Sequence, residues 1–260
     1  MLVRSFSRHI REHDWLAVFV EVIVVAVGLL MAFQVDRWWE ERGEREHEAA
    51  YVQRLIDDLE EDIAGIEQGI ELAEVRQEFA ELLMDVSADP ALAEEQPTRF
   101  LVGVMQAPFT YTPSLSSHTF EDLRSTGNLA LLRSNEVKDA LYRYYGFDEG
   151  QRQFMPLNFM VEFRHFSLAA EVLTHEQFRF IWEHWFVVTR DDLDAVDAAE
   201  TDTEEVRAAV ERFLANEELQ AWLTKVWGMQ KELQLIHGRR RSHVEDALEA
   251  LRAYQARLGR

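Results

Sequence analysis

The sequence contains no cysteine, and only five prolines and 11 glycines occur among its 260 residues. The lack of cysteine excludes disulfides, thiolate metal sites, lipid attachment through cysteine and cysteine nucleophiles. It is compatible with both the cytoplasm and the periplasm, so it does not decide the compartment. No proline interrupts residues 40–89, so one long helix can run through them.

Basic residues are also scarce, because 27 Lys and Arg stand against 48 Asp and Glu, for a formal net charge of −21. The charges within residues 1–35 cancel, so residues 36–260 carry the whole excess of acid. Such a chain repels phosphate backbones, which disfavours a nucleic-acid partner. The excess of acid is compatible with three roles, namely solubility, the binding of cations or the binding of a basic partner.

Enzyme motifs are missing: the sequence has no GxSxG, HExxH, phosphate loop or dinucleotide fingerprint. Glu44 and His47 have the spacing of half a di-iron carboxylate site, which needs a second such pair. Asp192 and Asp194 lack the glycine and glutamate of a calcium loop. Four other side chains would converge only if two helices met: Glu171, His175, Glu183 and His184. We therefore predict a non-enzymatic protein without a cofactor or metal site.

One long hydrophobic run is present, WLAVFVEVIVVAVGLLMAFQV at residues 15–35, with Glu21 as its single ionisable residue. A bilayer core needs about 20 apolar residues, at ~1.5 Å of rise each. Trp15 marks one end, and Trp38 and Trp39 mark the other, as in an aromatic belt at both headgroup layers. The run is too long for a signal peptide and lacks a cleavage site. We predict a transmembrane helix over residues 15–38.

Three residues within this span are candidate contacts to another helix, namely Glu21, Gly28 and Gln34. A carboxylate inside a membrane usually faces protein or water, so Glu21 either contacts another transmembrane helix or is tolerated near the headgroups. Gln34 either adds an interhelical hydrogen bond or lies at headgroup depth. Arginines flank both ends equally. We expect the N-terminus on the cytoplasmic side and the large domain outside the cytoplasm.

The rest of the chain shows no strand-like alternation, so we predict an all-α fold. Two successive seams indicate a coiled-coil-like helix as far as about Val86. Their members are Val52, Ile56, Leu59, Ile63, Ile66, Ile70 and Ala73, followed by Leu72, Val75, Phe79, Leu82 and Val86. The expected segments are a short tail (1–14), the span (15–38), a long juxtamembrane helix (39–88) and a helical-bundle domain (89–260).

Within residues 89–260, helix start and stop signals formed by Ser, Thr, Gly and Pro predict several helices. Helices are expected over residues 98–106, from Ser117 to Thr126, from Ser134 to Tyr145 with Gly146 at the end, after Pro156 and after Thr174. Residues 191–205 are expected to form an acidic loop, with Asp202 or Thr203 capping the next helix. A long helix from Glu217 to about Leu258 is expected to pack antiparallel to the first long helix.

Aromatic residues concentrate between positions 147 and 186. They form either a pocket for a lipid tail, quinone or other apolar ligand, or a filled core. The candidate pocket residues are Phe159, Phe163, Phe166, Trp182 and Trp185. The basic run at residues 239–241 either binds an acidic partner or headgroup, or pairs with acids of the first long helix.

Two stretches resemble the signature of an uncharacterised family of bacterial single-pass membrane proteins. The first is AVFVEVIVVAVGLLMAFQVDRWWEER, continuing to YVQRLIDDLEEDI, and the second is TFEDLRSTGNLALLRSNEVKDALYRYY. The matching positions are Glu21, Gly28, Gln34, Trp38, Glu40, Glu41 and Arg42 in the first, and Gly127, Leu132, Tyr144 and Tyr145 in the second. The resemblance implies a helical, membrane-anchored architecture and no particular activity. With it, the expected location is a bacterial inner membrane, with the N-terminus in the cytoplasm and the C-terminal domain in the periplasm.

These features together favour a membrane-anchored structural or interaction protein, expected to act as an accessory or scaffold subunit of a membrane complex. Its expected partners are the lipid bilayer and other membrane-complex subunits, or a second copy, bound through helices. The alternative is an extracytoplasmic ligand-binding or sensory module for an apolar ligand.

Overall fold

The computed structural model describes residues 15–153, 155–199 and 201–259, and the predicted tail at residues 1–14 lies outside them. Within the described ranges the chain forms helices and no strand, which confirms the all-α prediction. The helices are α1 (Trp15–Ala88), α2 (Leu92–Glu95), α3 (Pro97–Gln106), α4 (His118–Ser125), a 3-10 helix (Asn128–Leu131), α5 (Asn135–Arg152), α6 (Met155–Val172), α7 (His175–His184), α8 (Arg190–Asp197), α9 (Thr203–Ala215) and α10 (Glu217–Leu258).

The chain divides into two compact units, Met1–Val52 and Gln53–Arg260, and α1 contributes residues to both. In the first unit, α1 from Val18 onward is long and apolar enough to cross a membrane, with an 18-residue window of mean hydropathy 2.5. None of that window is buried within the chain. An apolar helix with no protein covering it is typical of a membrane span. The prediction of one candidate span is therefore confirmed.

In the second unit, residues 53–88 of α1 pack antiparallel against α10. Side-chain contacts join the two helices in reverse order along their lengths. The pairs are Gln53–Gln255 (2.7 Å), Glu60–Arg252 (2.7 Å), Glu67–Arg241 (3.4 Å), Gln77–Gln234 (2.7 Å) and Glu81–Trp227 (2.8 Å). These contacts tie the beginning of the helical unit to its end, and α10 also contacts α5, α6 and α9.

A stripe of buried residues with heptad spacing runs along α1 in the second unit. Its members are Leu55, Leu59, Asp62, Ile66, Gly69, Ala73, Arg76, Ala80 and Leu83, which alternate steps of four and three. The predicted seam is partly wrong, because Ile63 and Ile70 are only half-buried. Three of its members have a charged side chain or none at all, namely Asp62, Gly69 and Arg76. Each of them meets a polar group of another segment, as described below.

Helix α3 is the central helix of the second unit. Thr98 and residues 100–107 are buried, so α3 is covered on every side. It contacts α2, α6, α7, α8 and α9. Phe100 packs edge-on against Phe213 of α9, with ring centroids 5.6 Å apart. A short helix that is buried all round is stabilised by packing rather than by its own propensity.

Two local predictions are wrong. Helix α5 does not end at Gly146 but continues to Arg152, because Asp148, two residues beyond Gly146, is anchored by Arg240 of α10 at 2.9 Å. An exposed glycine inside a helix costs only about 1 kcal/mol, which such an anchor offsets. The predicted acidic loop contains a helix, α8, whose capping box joins Thr189 and Asp192.

Most of the predicted helix starts are confirmed. Thr174 forms a capping box with Gln177 at the start of α7, Ser134 caps α5, and Asp202 caps α9. Pro156 lies in the first turn of α6, where its missing N–H is harmless. Ser117 precedes α4, but its side chain makes no capping hydrogen bond.

Candidate functional site

The three candidate helix contacts of the span, Glu21, Gly28 and Gln34, are all exposed. Glu21 and Gly28 lie seven residues apart and so share one face of α1, whereas Gln34 lies on another. A Cβ added at Gly28 would have no atom within 4 Å, so this face is open. The three residues are therefore available to a neighbouring helix, but they do not form one stripe.

The aromatic residues at the ends of the span are exposed as well. Trp38 and Trp39 pack edge to face with centroids 5.2 Å apart, and the Arg42 guanidinium lies 5.7 Å from the Trp38 ring centroid. Trp15 is exposed at the other end. Amphipathic rings at the two ends of an apolar helix suit the headgroup layers of a bilayer.

An apolar surface, here called the α6 outer face, covers the solvent side of α6. It consists of Met155, Phe159, Met160 and Phe163, which lie within one sector of the helix. Phe159, Met160 and Phe163 are 64%, 66% and 66% exposed. The opposite side of α6 is buried through His165, Leu168, Ala169 and Val172. Helix α6 thus carries apolar residues on both sides, and among the described residues only the inner side is covered.

The five predicted pocket residues do not line a single cavity. Phe159 and Phe163 stack at 6.3 Å on the α6 outer face. Phe166 packs against the core and contacts Phe109 and Phe178, with centroids 6.4 and 5.2 Å away. Trp182 lines a cavity beside Arg76, whereas Trp185 lines another one near Thr174.

A buried polar cluster surrounds Asp62 of the α1 stripe. Its carboxylate accepts hydrogen bonds from the Ser116 amide at 2.6 Å and from the Tyr144 hydroxyl at 2.7 Å. Burial raises the pKa of Asp62 to about 6, although both hydrogen bonds oppose the shift. Burial also raises the pKa of Tyr144 and Tyr145, so both stay neutral donors. The cluster joins α1, α5 and the segment before α4.

A second polar cluster centres on Arg240 of α10. Its guanidinium donates to Asp148 Oδ1 and contacts His237 Nδ1, both at 2.9 Å. Burial, followed by the charge of Arg240, lowers the pKa of His237 to about 4, so the ring is neutral at physiological pH. The His237 ring lies against Gly69 of the α1 stripe. Within the basic run, Arg240 thus pairs with α5, and Arg241 pairs with Glu67 of α1 at 3.4 Å.

A third polar cluster centres on Arg76, which is 4% exposed. It donates to Gln106 Oε1 at 2.9 Å and to the Val187 carbonyl at 2.5 Å. Gln106 in turn bonds the Trp185 carbonyl and the Val187 amide, at 2.7 and 3.1 Å. Burial lowers the pKa of Arg76 to about 9, which leaves the guanidinium positively charged at neutral pH. The cluster fixes the extended segment between α7 and α8 onto α1 and α3.

The acid and histidine pairs considered for metal binding do not assemble. In the part of the chain that the structure describes, no group of three or more His, Asp or Glu side chains is arranged to hold a metal ion. Glu171 instead accepts a hydrogen bond from Asn216 at 3.0 Å, and Asp192 belongs to the cap of α8. Glu183 and His184 contact each other at 3.9 Å on the surface.

Asp62 and Arg76 did not emerge from the sequence as candidate site residues. The available signal was their spacing, because together with Gly69 they recur every seven residues between apolar positions of one heptad frame. A polar residue at such a position is buried and therefore needs a partner.

Comparison with known proteins finds no matching family model, no matching curated protein and no matching solved structure. The resemblance noted above stays a prediction. The fold defines the class of molecule. The described residues form an all-α protein with one candidate membrane span and a helical bundle that contains buried polar clusters.

Proposed function

We propose that this protein is a membrane-anchored docking protein, which binds another subunit of a bacterial inner-membrane complex through the α6 outer face. The observation that carries the proposal is that face. Four large apolar side chains, on a helix already apolar on its inner side, stand exposed on a strongly acidic domain.

The α6 outer face differs from ordinary exposed apolar residues because its members are contiguous. Single exposed hydrophobic residues are common, whereas contiguous patches mark interaction sites. Covering one large side chain completely contributes about 1.5–3 kcal/mol, so several such residues supply much of a specific contact.

The anchor contributes to the same function by holding the domain near its partner. Restricting both proteins to one membrane raises their effective concentration, so a face of modest area suffices. Glu21 and Gly28, which share one open face of the span, offer a second contact to a transmembrane helix of the partner. We place the domain in the periplasm and the N-terminus in the cytoplasm.

Extraction from native membranes tests this function. The full-length protein, extracted in mild detergent, is expected to elute with a partner subunit as a particle larger than one chain. The double variant Phe159→Ser with Phe163→Ser is expected to lose the partner. Leu235→Ser is the matched control, because Leu235 is an exposed apolar residue on a different helix, α10. A wild-type protein that elutes as a partner-free monomer would contradict the proposal.

A further inference from the structure

A cavity of about 220 Å³ lies beside α1 in the second unit. Its walls come from α1, the segment after α3, α6, α7 and the segment that follows α7. The residues that matter for its chemistry are Arg76, Phe109, Glu162, Trp182 and Phe186. Together with Tyr111, which also lines the cavity, one cation, one acid and four aromatic residues therefore surround a single small space.

The cation in this wall, Arg76, has no counter-ion among the residues that the structure describes. Arg76 is buried, yet no carboxylate of the described residues lies within ion-pair distance of it, and its two acceptors, Gln106 and the Val187 carbonyl, are neutral. A buried charge is costly unless it is paired, and arginine stays charged at neutral pH. These hydrogen bonds use two of the five guanidinium N–H donors. Donors and charge thus remain for an anion.

The aromatic wall has the geometry of a stacking platform. Trp182 and Phe186 are stacked with centroids 4.6 Å apart and planes 9° from parallel. The Phe109 ring lies 5.8 Å from Trp182 and 5.7 Å from Phe186, and the Arg76 guanidinium is 6.0 Å from the Phe109 centroid. A flat apolar ring would therefore find partners beside the cation.

We propose that this cavity binds a compact aromatic carboxylate, whose ring packs against Phe109, Trp182 and Phe186 and whose carboxylate pairs with Arg76. Arginine is the side chain best suited to hold a carboxylate, because its fork donates two parallel hydrogen bonds. The cavity is smaller than a typical drug-sized site of ~300–1,000 Å³, so the ligand is a single-ring molecule. This site is separate from the α6 outer face and does not depend on the docking function.

Glu162 also lines the cavity, so its carboxylate would repel a bound anion. Its Oε1 accepts hydrogen bonds from the Thr110 amide at 2.8 Å and from the Thr110 hydroxyl. Burial raises the pKa of Glu162, although both hydrogen bonds from Thr110 oppose this shift. Replacement of Glu162 by glutamine preserves an acceptor for Thr110 and removes the acid's repulsion of a bound anion. The variant Glu162→Gln is therefore expected to bind the anion more tightly than the wild-type protein does.

The first arm of the test compares three probes on the full chain in lipid nanodiscs, by equilibrium dialysis against empty nanodiscs. Benzoate carries both ring and charge, benzamide has the same shape without the charge, and acetate has the charge without the ring. Saturable benzoate binding, about tenfold or more tighter than that of either other probe, is the expected result. Equal binding of benzoate and benzamide, or no binding of benzoate, would overturn the proposal.

The second arm uses variants with a matched control on the same helix. Trp182 is 49% exposed, so Trp182→Leu is expected to keep the fold and to weaken benzoate binding about tenfold. Phe180→Leu changes an exposed ring of α7 that does not line this cavity, and binding is expected to be unchanged. Arg76→Gln is expected to abolish the preference for benzoate over benzamide.

If Arg76→Gln fails to fold by circular dichroism, the Trp182 and Glu162 variants decide the outcome. Equal losses in Trp182→Leu and Phe180→Leu, or weaker binding by Glu162→Gln, would place the probe elsewhere and overturn the assignment.

Discussion

Asp62 of α1 accepts a 2.7 Å hydrogen bond from the Tyr144 hydroxyl of α5, 82 positions further along the chain. The same carboxylate accepts from the Ser116 amide at 2.6 Å. One buried acid therefore holds together α1, α5 and the segment before α4. Because the carboxyl group is satisfied by hydrogen bonds but is far from water, its protonation is coupled to folding.

This coupling predicts a pH dependence of stability. Burial raises the pKa of Asp62 from 3.8 to about 6 in the folded protein. Below 3.8 the carboxyl is neutral in both states, and as the pH rises toward 6 it ionises first in the unfolded chain, so this residue's contribution to stability falls. The free-energy difference between wild type and Asp62→Asn, measured by urea unfolding, should shift against the wild type between pH 4 and pH 6 and then level off. A difference independent of pH would contradict this.

The contact between Gly69 and His237 predicts opposite effects of one substitution at two glycines. A Cβ at position 69 would lie 3.1 Å from Cε1 and Nε2 of the buried His237 ring, which cannot move away freely. Gly69→Ala should therefore lower the free energy of unfolding, by about 1–3 kcal/mol. Gly228→Ala is the control, because position 228 is helical and has nothing within 4 Å. It should stabilise by about 0.5–1 kcal/mol. If both variants changed thermal stability equally, the His237 ring would have moved to accommodate the new methyl group, contrary to the prediction.

Removal of the capping side chain before α7 should lower the free energy of unfolding, whereas the same change at Ser117, before α4, should not. The Thr174 side chain accepts from the Gln177 amide at 3.2 Å, and the Gln177 side chain bonds the Thr174 amide at 2.9 Å. Thr174→Ala should cost about 1 kcal/mol in unfolding free energy. Ser117→Ala should change it by less than about 0.5 kcal/mol, because Ser117 makes no side-chain cap. Similar losses for both variants would refute the distinction.

A substitution in the candidate span should affect binding of a partner subunit without affecting insertion into the membrane. Glu21 is exposed on the open face that includes Gly28, so Glu21→Leu makes the span more apolar and should leave membrane insertion intact. If this face contacts a partner helix, the variant should lose partner co-purification, whereas Val22→Leu, at the next position, should keep it. If Glu21→Leu still co-purified with the partner, this face of the span would serve only to anchor the protein in the membrane.

The sequence was sufficient for the local features of the fold. Helical periodicity and caps depend on neighbouring residues, so Thr174, Ser134 and Asp202 could be identified without any knowledge of packing. Gly146 could not, because helix α5 continues past it through the contact of Asp148 with Arg240, 92 positions away. A stop signal is a weak preference that one tertiary contact can override.

The buried polar clusters were missed because only apolar residues were counted in the seam. Asp62 and Arg76 hold heptad positions, but their partners, Tyr144 and Val187, lie 82 and 111 positions away. No local pattern connects such pairs. The same limit applied to the aromatic stretch: whether Phe163 faces a pocket, the core or solvent depends on which side of α6 finds a neighbour.

The most direct test of the docking function is site-specific photo-cross-linking in native membranes, with a photoreactive amino acid at position 163 on the α6 outer face. A matched probe at position 211 lies on an exposed, acidic site of α9. The docking function predicts one defined adduct with a partner subunit from position 163 and none from position 211. No adduct from position 163, or the same adducts from both positions, would contradict it.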